Sequence, residues 1–316
     1  MTLLDTGKNL RRIAGRWKCR LVDELPYARK VEQMPAIRKE LRSELSKLPP
    51  IPAPVRPVYE IHMLCGHRDC DMGIWASWSL MRFLEDKAKL IVHSDGTLTP
   101  EDISEWNGVV HGVEVVARPV ADAEVLRQVG HTRHLHRWRS GYKTSPQLID
   151  AHFFGAAPVM LVMDSDVLVF SRPTELIEAM ERREFVWCND LRDAYSTTPE
   201  LMKEVTGIQL PSRFNCGMLV TPRLTLSDFE KLDSIMETIH QDGRIDIMRY
   251  WACQTYYALL STFAPGSHVL PETYTTTAGR TAEDCVVRHF VGIARVRYRY
   301  FTEGVTRLLQ QAGVRR

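Results

Sequence analysis

The chain has 316 residues and a formal charge of +2, with 41 Lys and Arg against 39 Asp and Glu. That is enough for one large domain or two small ones, and the near-neutral balance argues against a general nucleic-acid binder. Apolar residues make up 44% and charged residues 25%, so a sizeable core is expected. The seven cysteines are odd in number and scattered, which excludes a disulfide scaffold and fits a reducing, cytoplasmic compartment. No apolar run reaches the ~18 residues of a membrane span, and Met1-Thr2-Leu3-Leu4-Asp5 has no apolar secretory stretch.

Residues 9–48 are rich in Arg, Lys, Glu and Leu and read as one or two charged amphipathic helices. Packed on the main domain they are a solvated face; alternatively they offer peripheral membrane contact. Pro49-Pro50-Ile51-Pro52-Ala53-Pro54-Val55-Arg56-Pro57 is too proline-rich for helix or central strand and predicts an extended linker. The chain therefore divides into a helical extension with its linker, residues 1–57, and a main domain, residues 58–316.

From residue 58 strands and helices alternate. Strands are predicted at 58–64, 90–93, 113–116, 159–163, 185–187, 218–220 and 286–290, and helices at 72–83, 100–106, 148–154, 173–183, 226–240 and 250–263. Ser171 is the expected cap of the helix at 173. This order predicts an α/β fold around a largely parallel sheet, with ligands at the carboxyl ends of the strands.

Asp164-Ser165-Asp166 follows the apolar run Val159-Met160-Leu161-Val162-Met163 and precedes Val167-Leu168-Val169-Phe170. A carboxylate pair at the end of a buried strand resists joint ionisation without a counter-ion, and a hard divalent cation supplies one. Other strand ends carry polar groups. Cys65-Gly66-His67-Arg68-Asp69-Cys70 reads as a nucleotide-contacting loop through Cys65 and His67, as a metal site using Cys65, His67 and Cys70, or as an ordinary turn. Asp95 in Ser94-Asp95-Gly96 can accept a hydrogen bond from a base or ribose, or serve the turn. Lys143 closes the most basic stretch, residues 131–143, a solvated loop or a phosphate contact. In Phe214-Asn215-Cys216-Gly217 the amide of Asn215 can bind hydroxyls, and Gly217 lets a backbone approach a ligand closely. His289, Gly292 and Arg295 in His289-Phe290-Val291-Gly292-Ile293-Ala294-Arg295 combine a metal-ligand type, a close-approach glycine and a phosphate-neutralising cation.

Taken in order, Met163-Asp164-Ser165-Asp166, Phe214-Asn215-Cys216-Gly217 and His289-Phe290-Val291-Gly292 resemble the Asp-x-Asp, Phe-Asn-x-Gly and His-Phe-x-Gly motifs of nucleotide-sugar-dependent glycosyltransferases of the GT-A fold. The resemblance is to the glycogenin-like and bacterial galactosyltransferase-like group, family 8, and covers residues 58–300. The chain departs from that pattern at Arg295, where the family has Lys, at Val296-Arg297, where it has Pro-Trp, and at Cys253-Gln254, where it has an acid before the Gln. The resemblance implies Mn²⁺ or Mg²⁺ held by Asp164, Asp166 and His289. It also implies a nucleotide-sugar donor near Cys65, His67, Asp95, Lys143, Ser165, Asn215, Gly217, Gly292 and Arg295. The same resemblance implies an acceptor that is a sugar, lipid or protein hydroxyl, and retention of the anomeric configuration with Gln254 or Asp190 under the transferred sugar; inversion would need a carboxylate base, Asp190 or Asp246. The rivals are a haloacid-dehalogenase-like phosphatase, whose Asp-x-Asp also follows an apolar strand, and a glycosyltransferase-like binding protein without turnover. Residues 193–210 and 265–284 are the expected variable loops.

Overall fold

The computed structural model describes residues 28–246, 248–292 and 294–314. Ten strands form two sheets among the described residues. The strands are β1 (Tyr59–Cys65), β2 (Ala88–Ser94), β3 (Glu114–Val116), β4 (Val159–Met163), β5 (Val167–Val169), β6 (Val186–Asn189), β7 (Phe214–Pro222), β8 (His268–Val269), β9 (Tyr274–Thr275) and β10 (Val287–His289). The main sheet runs β3-β2-β1-β4-β7-β6-β8. Four of its six pairings are parallel, and β7 is antiparallel to both β4 and β6. The small sheet β5-β10-β9 has β10 antiparallel to β5 and parallel to β9.

Strands β1, β2 and β4 are buried on both faces, which is why they read as apolar runs without a polar phase. Alternate residues still choose opposite layers. Ile61, Met63, Leu161 and Met163 join a core containing Trp75, Trp78 and Trp106, whereas Met160 and Val162 face Trp138, Phe229 and Tyr257. The helices behind the first layer are α1 (Ala28–Ser43), α2 (Cys70–Met81) and α3 (Pro100–Val109). Next in the chain come α4 (Arg118–Val129), α5 (Arg133–Gly141), α6 (Ser145–Ile149), α7 (Thr174–Arg182), α8 (Pro199–Thr206), α9 (Leu226–Asp242) and α10 (Ala252–Ser261). The chain ends in α11 (Ala294–Arg299), a π turn over Tyr300–Val305 and α12 (Thr306–Gln311). Thr99 with Asp102, and Thr225 with Asp228, close reciprocal capping boxes that start α3 and α9 where the sequence pattern begins.

Several local expectations change. Ser171 does not cap α7; Pro173 occupies that position and the first helical residue is Thr174. The basic stretch is not a loop, because its apolar members fall at helical spacing in α5 and bury Leu135 and Trp138. The segment 193–210 contains α8, capped by the Thr198 side chain. Helix α10 starts at Ala252 rather than residue 250, because Trp251 holds φ +75°. The proline-rich segment is extended but docked: Ile51 is buried and bridges Val110, and Trp78 Nε1 donates to the Pro49 carbonyl at 2.9 Å. Leu41, Leu45 and Leu48 share the first core, and Arg38 and Arg42 pair with Asp71 and Glu105. The described part of the extension is thus packed on the main body; residues 1–27 of it lie outside the described residues. No described helix is long and apolar enough to cross a membrane.

Candidate active site

Two segments, the crossing after β4 and strand β10, deliver three ligand-type side chains to one point. Just past β4 the amide of Asp164 donates to the Gly217 carbonyl at the start of β7 (2.7 Å). The chain then leaves the main sheet for the small one, with Asp164-Ser165-Asp166 as the crossing. In the small sheet β10 sets His289 opposite Val167, and the Phe290 amide donates to the Asp166 carbonyl (2.8 Å). That register brings the imidazole to the aspartates. His289 Nε2 lies 3.1 Å from Asp166 Oδ1 and 3.5 Å from Asp164 Oδ2. One ligand atom from each residue falls within 4.8 Å of the others.

Two carboxylates and an imidazole suit Mn²⁺ or Mg²⁺. Ligands at about 2.1–2.2 Å from one ion, at right angles, stand about 3 Å apart, close to the separations here, so the residues fit such an ion. Their charges also respond to one another. Burial raises Asp164 to about 6, the neighbouring Asp166 adds to the rise, and His289 and the Gln147 amide oppose it. Burial pushes His289 down, but Asp166 and Asp164 outweigh it and hold the imidazole near about 9. The imidazolium thus balances the carboxylates, and a divalent cation would take over that balance.

Gly217 is indispensable to this packing. A Cβ there would lie 2.3 Å from both Cε1 and Nδ1 of His289. The other side of the ring is held by Asn215, whose Oδ1 is 2.8 Å from His289 Nδ1. Behind Asn215 sit Asp190 and Gln254. Asp190 Oδ2 accepts from Asn215 Nδ2 (2.8 Å) and Gln254 Nε2 (3.2 Å), and its Oδ1 accepts from the Leu191 amide (2.6 Å). Gln254 Nε2 also donates to the Ala194 carbonyl (2.9 Å), and its Oε1 accepts from the Cys216 amide (3.3 Å). Both groups given catalytic roles from the sequence are engaged with each other, and Asp190 with Asn215 as well.

One residue that the motifs did not single out also borders the centre. Gln147, on α6, donates from Nε2 to Asp164 Oδ1 at 2.5 Å. Its backbone carbonyl accepts from the buried Tyr257 hydroxyl (2.8 Å), which fixes its position. Lys143, preferred from the basic stretch, is exposed on the turn before α6. Arg297 lies near Gly292, 3.6 Å from Asp69 Oδ1, and its buried Nε has no hydrogen-bond partner among the described residues. Charge count alone could have suggested Arg297; nothing local pointed to Gln147.

The remaining expected residues divide. Asp95 is exposed; its Oδ1 accepts from the Thr97 amide and hydroxyl, and its carboxylate sits over Gly66, where a Cβ would meet it at 2.2 Å. His67 is exposed and pairs with Asp102 at 2.7 Å. The strand ends of β1 and β2 thus form one rim. The Cys65 thiol turns inward, facing Gly73 of α2, and burial pushes it well up, so only its backbone faces that rim. That orientation removes Cys65 from the alternative metal site. A second cluster, Cys70, Asp102 and Glu105, has its charge met by Arg42. Ser165 is half-buried in the crossing and Gly292 is exposed. The Arg295 side chain lies outside the described residues.

The chain resembles mouse xyloside xylosyltransferase 1 in its apo form, with a TM-score of 0.50 and 13% identity over 73% of this chain and 97% of that one. It also resembles the bifunctional glycosyltransferase WbbM, again with a TM-score of 0.50 and 13% identity, over 82% of this chain and 50% of the other. The fold is that of the GT-A glycosyltransferases. No protein-family model matches the chain, and no curated protein matches it significantly. In this GT-A frame the Asp-Ser-Asp crossing sits at the carboxyl end of β4, on the side of the sheet where β1 and β2 present Gly66 and Asp95.

Proposed function

We propose that this chain is a metal-dependent glycosyltransferase that moves a sugar from a nucleoside-diphosphate sugar, a UDP-sugar foremost, to an acceptor hydroxyl. The observation that carries the reading is the meeting of Asp164, Asp166 and His289 within 4.8 Å in a GT-A fold. These residues would hold Mn²⁺ or Mg²⁺, which when bound stabilises charge developing on a leaving diphosphate. Arg297, beside Gly292, is the cation assigned to a phosphate oxygen in this reading. The rim of Gly66 and Asp95 receives the nucleoside. Retention is favoured over inversion through Asp190 because three donors already occupy its carboxylate, which leaves it poorly placed as a general base. The phosphatase reading is not favoured: its motif opens the core fold, whereas here three strands of the main sheet precede β4.

The test is a thermal-shift and calorimetric screen of nucleotide sugars with and without Mn²⁺, followed by donor hydrolysis and proton NMR of any product. Ligand at about 100-fold over its Kd stabilises the fold by roughly 2.7 kcal/mol. A metal-dependent shift with a UDP-sugar, lost in Asp164→Asn, supports the reading. No metal-dependent response to any nucleotide sugar refutes it. Phosphate release from simple esters without nucleotide restores the phosphatase, and UDP binding without hydrolysis or transfer leaves a binding protein.

A further inference from the structure

We propose that Asn215, anchored by Asp190 and Gln254, is a positioning residue that fixes the tautomer of His289 and so prepares the metal centre. This rests on the metal reading above and assigns Asn215 work other than the sugar-hydroxyl contact expected from its motif.

The argument is one of donors and acceptors. A side-chain amide has an oxygen end and a nitrogen end, and its partners decide which is which. The Gly217 amide can only donate, and it lies 2.9 Å from one end of Asn215, so that end is Oδ1. The Asp190 carboxylate accepts, and it lies 2.8 Å from the other end, so that end is Nδ2. Asp190 cannot turn away, because the Leu191 amide and Gln254 Nε2 hold it; Gln254 is held in turn by Ala194 and Cys216. With the amide locked, the atom facing His289 Nδ1 at 2.8 Å is an acceptor. Nδ1 therefore carries the proton. A neutral imidazole has only one, so its lone pair sits on Nε2, the nitrogen 3.1 Å from Asp166 and 3.5 Å from Asp164. The other tautomer would aim an N–H at the cation's place and set two lone pairs against each other at Asn215. Outer hydrogen bonds that orient a ligating histidine in this way contribute about 10- to 100-fold in metal affinity.

The experiment uses the full chain, with Mn²⁺ affinity measured by calorimetry and electron paramagnetic resonance. Long-range proton–nitrogen NMR of histidine-labelled protein with Mg²⁺ reports the tautomer. Asn215→Ala is expected to weaken Mn²⁺ binding about 10- to 100-fold and to lose the single Nδ1–H signature of His289. The double variant N215D/D190N keeps an oxygen at His289 Nδ1, while setting the new amide nitrogen at position 190 against Gln254 Nε2; it is expected to recover part of the lost affinity together with the Nδ1–H signature, which a purely structural role would not do. Wild-type binding together with unchanged binding by Asn215→Ala overturns this proposal alone. No Mn²⁺ binding by the wild type overturns the metal reading and this proposal with it. Should the variants fail to fold, the wild-type spectrum still decides, since an Nε2–H tautomer of His289 refutes it.

Discussion

Gly217→Ala tests the geometry of the centre without touching any ligand. The backbone cannot retreat: the Gly217 carbonyl accepts from Asp164 at 2.7 Å, its amide donates to Asn215 at 2.9 Å, and β7 is paired with both β4 and β6. The new methyl would start 2.3 Å from two atoms of the His289 ring, where ordinary contact begins at 3.4 Å. The ring must therefore move by about 1 Å, several times the ~0.2 Å latitude of a metal–ligand distance. Mn²⁺ affinity should fall at least 10-fold and up to about 100-fold, or about 1.4–2.7 kcal/mol. Overpacking should also cost about 1–3 kcal/mol of stability. Calorimetric titration with Mn²⁺ on protein shown to be folded by circular dichroism measures the first effect, and chemical denaturation the second. A folded variant that binds Mn²⁺ as tightly as the wild type would show that His289 is not a ligand in the pose described.

Three further outcomes are expected. Gln147→Leu removes the donor to Asp164 Oδ1; loss of an outer hydrogen bond that orients a ligating carboxylate should lower Mn²⁺ affinity about 10-fold, whereas Lys143→Ala should leave it unchanged, both read by calorimetry. Burial pushes Glu60 up, but His62, the Ala156 and Ala157 amides and Arg223 together hold it at about 2 against an ordinary 4.5. Its folded value is depressed, so its stabilisation is present above 4.5 and lost as pH falls toward 2. Burial also pushes Arg223 down, which offsets part of the pair's contribution. Urea unfolding across that range should show a wild-type acid limb of about 1–3 kcal/mol that flattens in Glu60→Gln. Arg139→Met strands Asp150, which Arg139 holds at 2.5 and 2.7 Å in a buried pair; the cost should be about 3–5 kcal/mol by denaturation and mostly recovered when Asp150→Leu is added.

Strands β1, β2 and β4 were legible because burial on both faces leaves an unbroken apolar run. The Asp164 and Asp166 pair was legible because charge at the end of such a run is costly without a counter-ion. Helices α3 and α9 were legible from their apolar periodicity, while the one cap read from the sequence, Ser171, was not the cap of its helix. Other features had no local signature. The basic stretch ending at Lys143 left a solvated loop and a phosphate contact open, and it folds largely as a helix, α5; Gln147 of the next helix reaches Asp164. Arg297, which lies beside Gly292, belongs to no motif read from the sequence. The hydrogen bonds of Asn215 to His289, Asp190 and Gly217 had no local signature either.

Sequence by itself determined the alternation of strands and helices, the position of the carboxylate pair and the residue types available for a metal, since these depend on burial and periodicity within a few residues. Only the tertiary structure decided that His289 meets Asp164 and Asp166, and that Asn215 holds the ring from behind. Those contacts follow from the antiparallel register of β10 on β5 and of β7 on β4. Register between segments more than a hundred residues apart, like His289 and Asp166, is set by the packing of the whole sheet, and no local pattern encodes it.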